Sequence, residues 1–263
     1  MKTGKLIIVK IGGNIIDDEA QLSSFLQDFA SITANKILMH GGGKVATTLA
    51  LKLGIPQQMI EGRRITNAET LKLITMVYAG LINKNIVAKL QSYQCNALGL
   101  SGADANIIQA HKRMSSSIDY GFAGDIDIIN EKMIEQFLHA GLCLVIAPIT
   151  HDAKGQLLNT NADTIAQSVA TAMAKKYEVD LMYCFEKQGV MADINDENSI
   201  VKKITPAMYL HMKDNQLISE GMIPKLDNAF VAINNGVAKV IIGDAKDLKN
   251  MIRGASGTTI ANE

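Results

Sequence analysis

A few short stretches carry residue types whose spacing could do chemistry. In residues 5–14, KLIIVKIGGN, an apolar run ends in Lys10 and then Gly12 and Gly13. Glycines after a strand let the backbone approach a ligand closely. A phosphate placed there would meet bare N–H groups, the Lys10 cation and the start of the next helix. The second stretch is His40-Gly41-Gly42-Gly43. An HGGG segment can form a hydrolase oxyanion hole, but that chemistry needs a G-x-S-x-G elbow. The nearest match, Gly99-Leu100-Ser101-Gly102, is one residue short. A Walker A loop fails because Val45 follows Gly43-Lys44 where Ser or Thr is required, and no G-x-G-x-x-G follows the first apolar run. A nest of backbone N–H groups for an anion survives these exclusions.

Arg63 and Arg64 lie in a polar, extended stretch. Neighbours in a strand face opposite ways, so at most one of the two is expected to point into a given cleft. A guanidinium there suits a carboxylate through bidentate pairing; the plainer reading is a pair of solvated surface cations. In Asn159-Thr160-Asn161-Ala162-Asp163, Asn161 is a natural helix N-cap and Asp163 falls in the first turn, where the helix dipole favours a carboxylate. Capping alone would explain these residues. The functional reading is that Asp163 holds nearby lysines and Asn159 donates to a substrate. In Gly221-Met222-Ile223-Pro224-Lys225, Pro224 suits a first helical turn. That puts Lys225 where the dipole disfavours a cation, which points to an anionic ligand beside it.

The elements that must position these residues read as α/β. Residues 36–39 form a second short strand that, like the first, ends in a glycine cluster opening a helix, as βαβ units with one ligand-binding edge require. Helices are expected at 19–33, 44–53, 68–93 (with a weak point at Gly80), 131–140, 161–176, 205–215, 220–234 and 246–253. Strands are expected at 60–66, 95–100, 107–114, 121–129, 142–147, 181–185 and 239–243, with 258–260 as a closing edge strand. Residues 188–201 read as an excursion turning at Asn195-Asp196.

The 263 residues suffice for one large α/β domain or two lobes with a cleft. Lys+Arg and Asp+Glu are both 26, which argues against nucleic acid as a partner. Uninterrupted apolar runs are shorter than the roughly 20 residues of a membrane span, so no membrane association is expected. The three cysteines, Cys95, Cys143 and Cys184, each sit in or beside an apolar run and read as buried thiols in a cytoplasmic protein.

Taken in order, Lys10-Ile11-Gly12-Gly13, the 40–43 glycines, Gly62-Arg63-Arg64-Ile65-Thr66, the 159–163 segment and Gly221–Lys225 resemble the amino acid kinase superfamily, and within it the N-acetylglutamate kinases. The resemblance implies a three-layer αβα sandwich around a mostly parallel central sheet. It implies an N-terminal lobe, residues 1–174, binding an acylated amino acid, and a C-terminal lobe, 175–263, binding ATP. The reaction would pass the γ-phosphoryl group to the side-chain carboxylate of an N-acetylglutamate, or of a close analogue such as N-succinyl-glutamate, in arginine biosynthesis. Lys10 and Lys225 match the family's transition-state cations, and Asp163 the aspartate that orients them. Gly12 and Gly13, with Gly42 and Gly43, match backbone donors to phosphoryl group and substrate. Arg64 and Asn159 match the grip on the α-carboxylate. Mg²⁺ would arrive with ATP, with no dedicated protein metal site. Where many members carry Ser/Thr-Asp-Val-x-Gly, this chain has Phe185-Glu186-Lys187-Gln188-Gly189, so Glu186 and Gly189 belong to a retuned nucleotide pocket. The first strand begins almost at once, without the helix that precedes it in arginine-inhibited hexamers; a homodimer is the expectation. Glutamate, aspartate or carbamate kinase activity, or a catalytically silent amino-acid sensor of the same fold, are the alternatives.

Overall fold

The computed structural model describes residues 2–60, 63–193, 196, 199–215, 217–218 and 221–262. Gly62 of the resemblance, the turn residue Asn195 and the expected helix start Glu220 lie outside them. β1 (Lys5–Ile11) leads into α1 (Gly13–Asp17) and α2 (Glu19–Ala30), and β2 (Asn35–His40) into α3 (Gly43–Lys52). A small ladder of β3 (Met59–Ile60) and β4 (Arg63–Arg64) precedes α4 (Ala68–Thr75), a π-helical stretch (Met76–Ile82) and α5 (Asn83–Ser92). Then come β5 (Ala97–Leu100), β6 (Ile108–Lys112), β7 (Gly124–Ile129), α6 (Glu131–His139) and β8 (Cys143–Ile146). β9 (Ile149–His151), β10 (Leu157–Asn159), α7 (Ala162–Met173) and β11 (Glu178–Phe185) follow. The remaining elements are β12 (Lys203–Ile204), α8 (Pro206–Asp214), α9 (Ile223–Asn234), β13 (Lys239–Asp244), α10 (Leu248–Arg253) and β14 (Thr258–Ile260).

Among the described residues the central sheet has eight strands, in the order β12-β14-β13-β11-β1-β2-β8-β5. Every pairing in it is parallel except β13 with β14. The period-2 geometry of β1 explains the layers. Leu6 and Ile8 enter a core with α6, α7, α8 and α9, while Ile7, Val9 and Ile11 enter a second core with α2, α4, α5 and α10. Each fully buried Leu or Ile contributes on the order of 1.5–3 kcal/mol from burial. The expected αβα sandwich is therefore present. Three short strands, β9, β10 and β12, were not legible from pattern. β14 is not the edge strand, because β12 pairs outside it.

The 25-residue helical stretch Ala68–Ser92 is long and apolar enough to cross a membrane by length and composition. Leu73, Ile74, Val77, Ile82, Ile86 and Leu90 instead pack it against the central sheet. Gly80 does not break it; the helix widens into the π-turn there. All three cysteines are free and buried.

β10, β9, β6 and β7 form a second, four-stranded sheet. A bridge from Thr66 to Gly121 ties it to the end of the small ladder, and one from Ala123 to Asn159 links its two edges. This sheet covers one end of the central one and walls the site described next.

Candidate active site

Lys10 shares the side-chain parity of Leu6 and Ile8, so it points toward the face on which α7 packs. Asp163 stands in the first turn of that helix, whose N-cap Asn161 accepts hydrogen bonds from the Asp163 and Thr164 amides at 2.8 and 3.1 Å. Tyr183 of β11 donates to the Asp163 carbonyl and pins this turn to the sheet. As a result Lys10 Nζ lies 2.7 Å from Asp163 Oδ1. Lys225, in the first turn of α9, places Nζ 3.9 Å from Asp163 Oδ2 and donates to the Gly221 carbonyl at 3.3 Å. Burial alone would push the Asp163 carboxyl up; the Lys10 and Lys225 ammoniums outweigh it and hold the carboxyl below the usual carboxylate range. The three residues come together from three distant parts of the chain.

Two glycine loops flank Lys10 at the carboxyl ends of β1 and β2. The Gly12 amide donates to the Cys184 carbonyl and the Gly41 amide to the Ile11 carbonyl. The loops lie side by side: a Cβ on Gly41 would sit 3.9 Å from the Gly13 nitrogen. Gly42 has φ +150°, and a Cβ there would fall 2.3 Å from Ile82 Cδ1, so only glycine fits. Gly12 and Gly42 are the N-caps of α1 and α3.

Beside the second loop lies a cavity of ≈ 190 Å³ bordered by Gly41–Gly43, Arg64, Arg113, Asn159 and Ala162. Arg64 is buried and donates through Nη2 to the Gly43 carbonyl and Thr47 Oγ1, each at 2.9 Å, and through Nη1 to Gln57. Asn159 donates to Thr66 Oγ1 at 3.0 Å. Arg63 borders the same cavity as Arg64. The ladder is two residues long on each strand, and long side chains can wrap around so short an edge. Arg113 and Tyr78 also line the cavity and were missed by sequence reasoning. Arg113 is held on both oxygens of Asp125 and over the Tyr120 ring. A polar position in a hairpin strand gives no sequence signal of this kind.

A second cavity, ≈ 270 Å³, is bordered by Phe185, Glu186, Gly189, Leu217, Met222 and Lys225. Glu186 Oε1 accepts from Asn14 Nδ2 at 2.9 Å, which joins this cavity to the first glycine loop. Asn14 was another residue not anticipated. Gly189 has a packing reason as well: a Cβ would fall 2.7 Å from Thr258 Oγ1. The cluster of Lys10, Asp163 and Lys225 joins the two cavities, since Ala162 borders the first and Lys225 the second.

The sequence profile of the amino acid kinase family matches residues 5–244. The chain belongs to the amino acid kinase family. Among its relatives, an acetylglutamate kinase of Cytophaga hutchinsonii is 55% identical over 94% of each chain. The crystal structure of smu.665 from Streptococcus mutans UA159 superposes with a TM-score of 0.80 at 27% identity, covering 98% of this chain and 99% of that one. Carbamate kinase from Giardia lamblia bound to AMP-PNP shares the fold, with a TM-score of 0.71 at 12% identity over the full length of both chains.

Proposed function

We propose that this member of the family is a phosphotransferase that passes the γ-phosphoryl group of ATP to the side-chain carboxylate of N-acetyl-glutamate or a close N-acyl-glutamate, as a step of arginine biosynthesis. One observation carries the reading: Lys10 and Lys225, from opposite ends of the chain, converge on Asp163 between two cavities. A carboxylate is already ionised at neutral pH, so the nucleophile needs no general base. What such a reaction requires is alignment of two anions and neutralisation of the charge that develops between them. Two lysines and the glycine-loop amides suit that task. The similarity to acetylglutamate kinases supports the substrate class.

In this reading residues 1–174 form the acyl amino-acid lobe and 175–263 the nucleotide lobe. The first cavity draws on residues 41–162 and the second on 185–225, which supports the division. Arg64 and Asn159 receive the α-carboxylate; Gly12, Gly13, Glu186 and Gly189 border the nucleotide. Mg²⁺ would travel with ATP and neutralise its phosphates; among the described residues no side-chain cluster is spaced to hold a metal ion. The protein acts on small molecules in the cytoplasm, as a homodimer.

Acetyl and succinyl are the two acyl groups to be told apart at the first cavity, which Arg64 and Arg113 border. Hydroxylamine trapping of acyl phosphate tests both readings, with N-acetyl-glutamate, N-succinyl-glutamate and free glutamate compared at equal concentration. Turnover of an N-acylated substrate supports the assignment, and the better acyl group settles the choice. Turnover of free glutamate alone, or of none, overturns it.

A further inference from the structure

His40 is fully buried at the end of β2, directly before the glycines that border the first cavity. Its Nδ1 lies 2.8 Å from the carbonyl oxygen of Gly41. A carbonyl can only accept, so Nδ1 carries the proton. Its Nε2 lies 3.3 Å from the side-chain nitrogen of Asn83, which can only donate, so Nε2 is bare. Asn83 is itself fully buried and fully committed. Its amide also donates to the Val145 carbonyl at 3.0 Å, and its oxygen accepts from Lys84 Nζ at 3.1 Å. Lys84 in turn donates to the Gly99 carbonyl at 2.8 Å. A Cβ on Gly99 would lie 2.1 Å from the Asn83 oxygen, so the chain of contacts is closed around a residue that must lack a side chain.

The π-helical stretch ends at Ile82, immediately before Asn83. π-turns are rare and cluster at functional sites. Here the widened turn puts Tyr78 and Ile82 against Gly42 and delivers Asn83 to His40. Burial pushes the His40 imidazole down to about 4, with the Gly41 contact opposing and the Lys84 charge reinforcing the shift, so the ring is neutral at physiological pH.

The consequence lies in the next peptide. In a trans peptide the C=O and N–H point opposite ways. Turning the Gly41 carbonyl toward the buried ring therefore turns the Gly42 N–H away from it. That N–H makes no hydrogen bond among the described residues, and Gly42 borders the cavity. We propose that His40 is a positioning residue: its Nδ1–H tautomer, fixed by Asn83 and Lys84, aims the Gly42 amide into the cavity as a donor to the reacting anion. This role rests on the phosphotransfer reading above.

The test combines ¹⁵N-histidine NMR of the wild-type protein with kinetics of His40→Leu and His40→Asn. Asparagine keeps a donor near the place of Nδ1; leucine keeps only the bulk. The expected spectrum shows His40, assigned by the signal lost in the variants, as the neutral Nδ1–H tautomer. The expected kinetics are a 10- to 100-fold loss of kcat in His40→Leu with the KM for ATP unchanged, and recovery of most of that loss in His40→Asn. An Nε2–H tautomer or an imidazolium at neutral pH overturns the proposal. So does wild-type kcat in His40→Leu, or equal impairment in both variants, which would leave only packing. If neither variant folds, His40 is assigned in the wild-type protein by triple-resonance correlation to its own backbone, and its tautomer decides. A wild-type protein that turns over no acyl-glutamate sinks the phosphotransfer reading, and the tautomer still decides whether the ring holds the Gly41 carbonyl.

Discussion

Lys10 Nζ and Asp163 Oδ1 lie 2.7 Å apart, with only 12% and 14% of their side chains exposed. One residue ends the first strand and the other opens a helix more than half the chain away. Strand parity and a helix cap bring them together, and Lys225 completes the cluster from a third element. A cation pair around one carboxylate is stable only while that carboxylate is present.

Asp163→Asn should therefore lower kcat far more than it lowers binding. Two ammoniums lose their shared anion and drift from their aligned positions. We expect kcat to fall about 10²-fold, with the KM for either substrate changing less than about threefold. Lys10→Ala should cost at least as much. Steady-state kinetics with circular dichroism as a fold check will measure this. Wild-type kcat in Asp163→Asn would show that the cluster is structural only.

The pH dependence of stability follows from two depressed groups. His40 titrates near 6.5 when unfolded and at about 4 when folded. Between those values the unfolded chain binds the extra proton, so stability falls as pH drops from about 6.5 to 4, by about 3 kcal/mol. Asp163 is likewise depressed, so its contribution is present above its unfolded pKa near 4 and is lost as pH falls through its lower folded value. Urea midpoints measured from pH 7 to 4 should fall in the wild type and fall less in a folded His40→Asn variant. Parallel slopes in the two proteins would refute the assignment to His40.

Gly42→Ala should disable the first cavity. Its φ of +150° suits glycine alone, and the added methyl would meet Ile82 and Tyr78. Strain and overpacking together cost about 2–4 kcal/mol. We expect a melting point several degrees lower and kcat reduced at least about tenfold. Gly141→Ala is a useful comparison: it also has positive φ, but nothing lies within 4 Å of the added Cβ. It should lose stability and keep its activity. Equal activity in the two variants would argue against a special role for Gly42.

Much of this was readable in advance, for identifiable reasons. Leu6–Val9 and the glycines after it declare a strand and a ligand loop because parity and φ freedom are local properties. Asn161 and Asp163 declare a helix start for the same reason. Arg113 was not readable, because its place beside Arg64 depends on how a hairpin folds across the end of the central sheet. Asn83 was hidden by the π-turn, which shifts the helical phase on which any face assignment depends.

Arg64 and Arg113 should separate binding from acyl selection. Arg64 makes directed bonds to Gly43, Thr47 and Gln57, a fork that an ammonium cannot reproduce. Arg64→Lys should raise the KM for every acyl-glutamate by about 10- to 100-fold, the scale of one or two charged hydrogen bonds, while the KM for ATP stays put. Arg113 instead borders the cavity and is paired to Asp125, so its loss removes a cation from the cavity wall and leaves the Asp125 carboxylate without that partner. That carboxylate should repel a dicarboxylic acyl group and leave an acetyl group almost untouched. We expect Arg113→Met to cut kcat/KM for N-succinyl-glutamate about tenfold or more and to change that for N-acetyl-glutamate less than about threefold. A double variant, Arg113→Met with Asp125→Asn, should recover part of the loss by removing the repulsion. Equal losses on both substrates would mean that Arg113 only holds the hairpin in place.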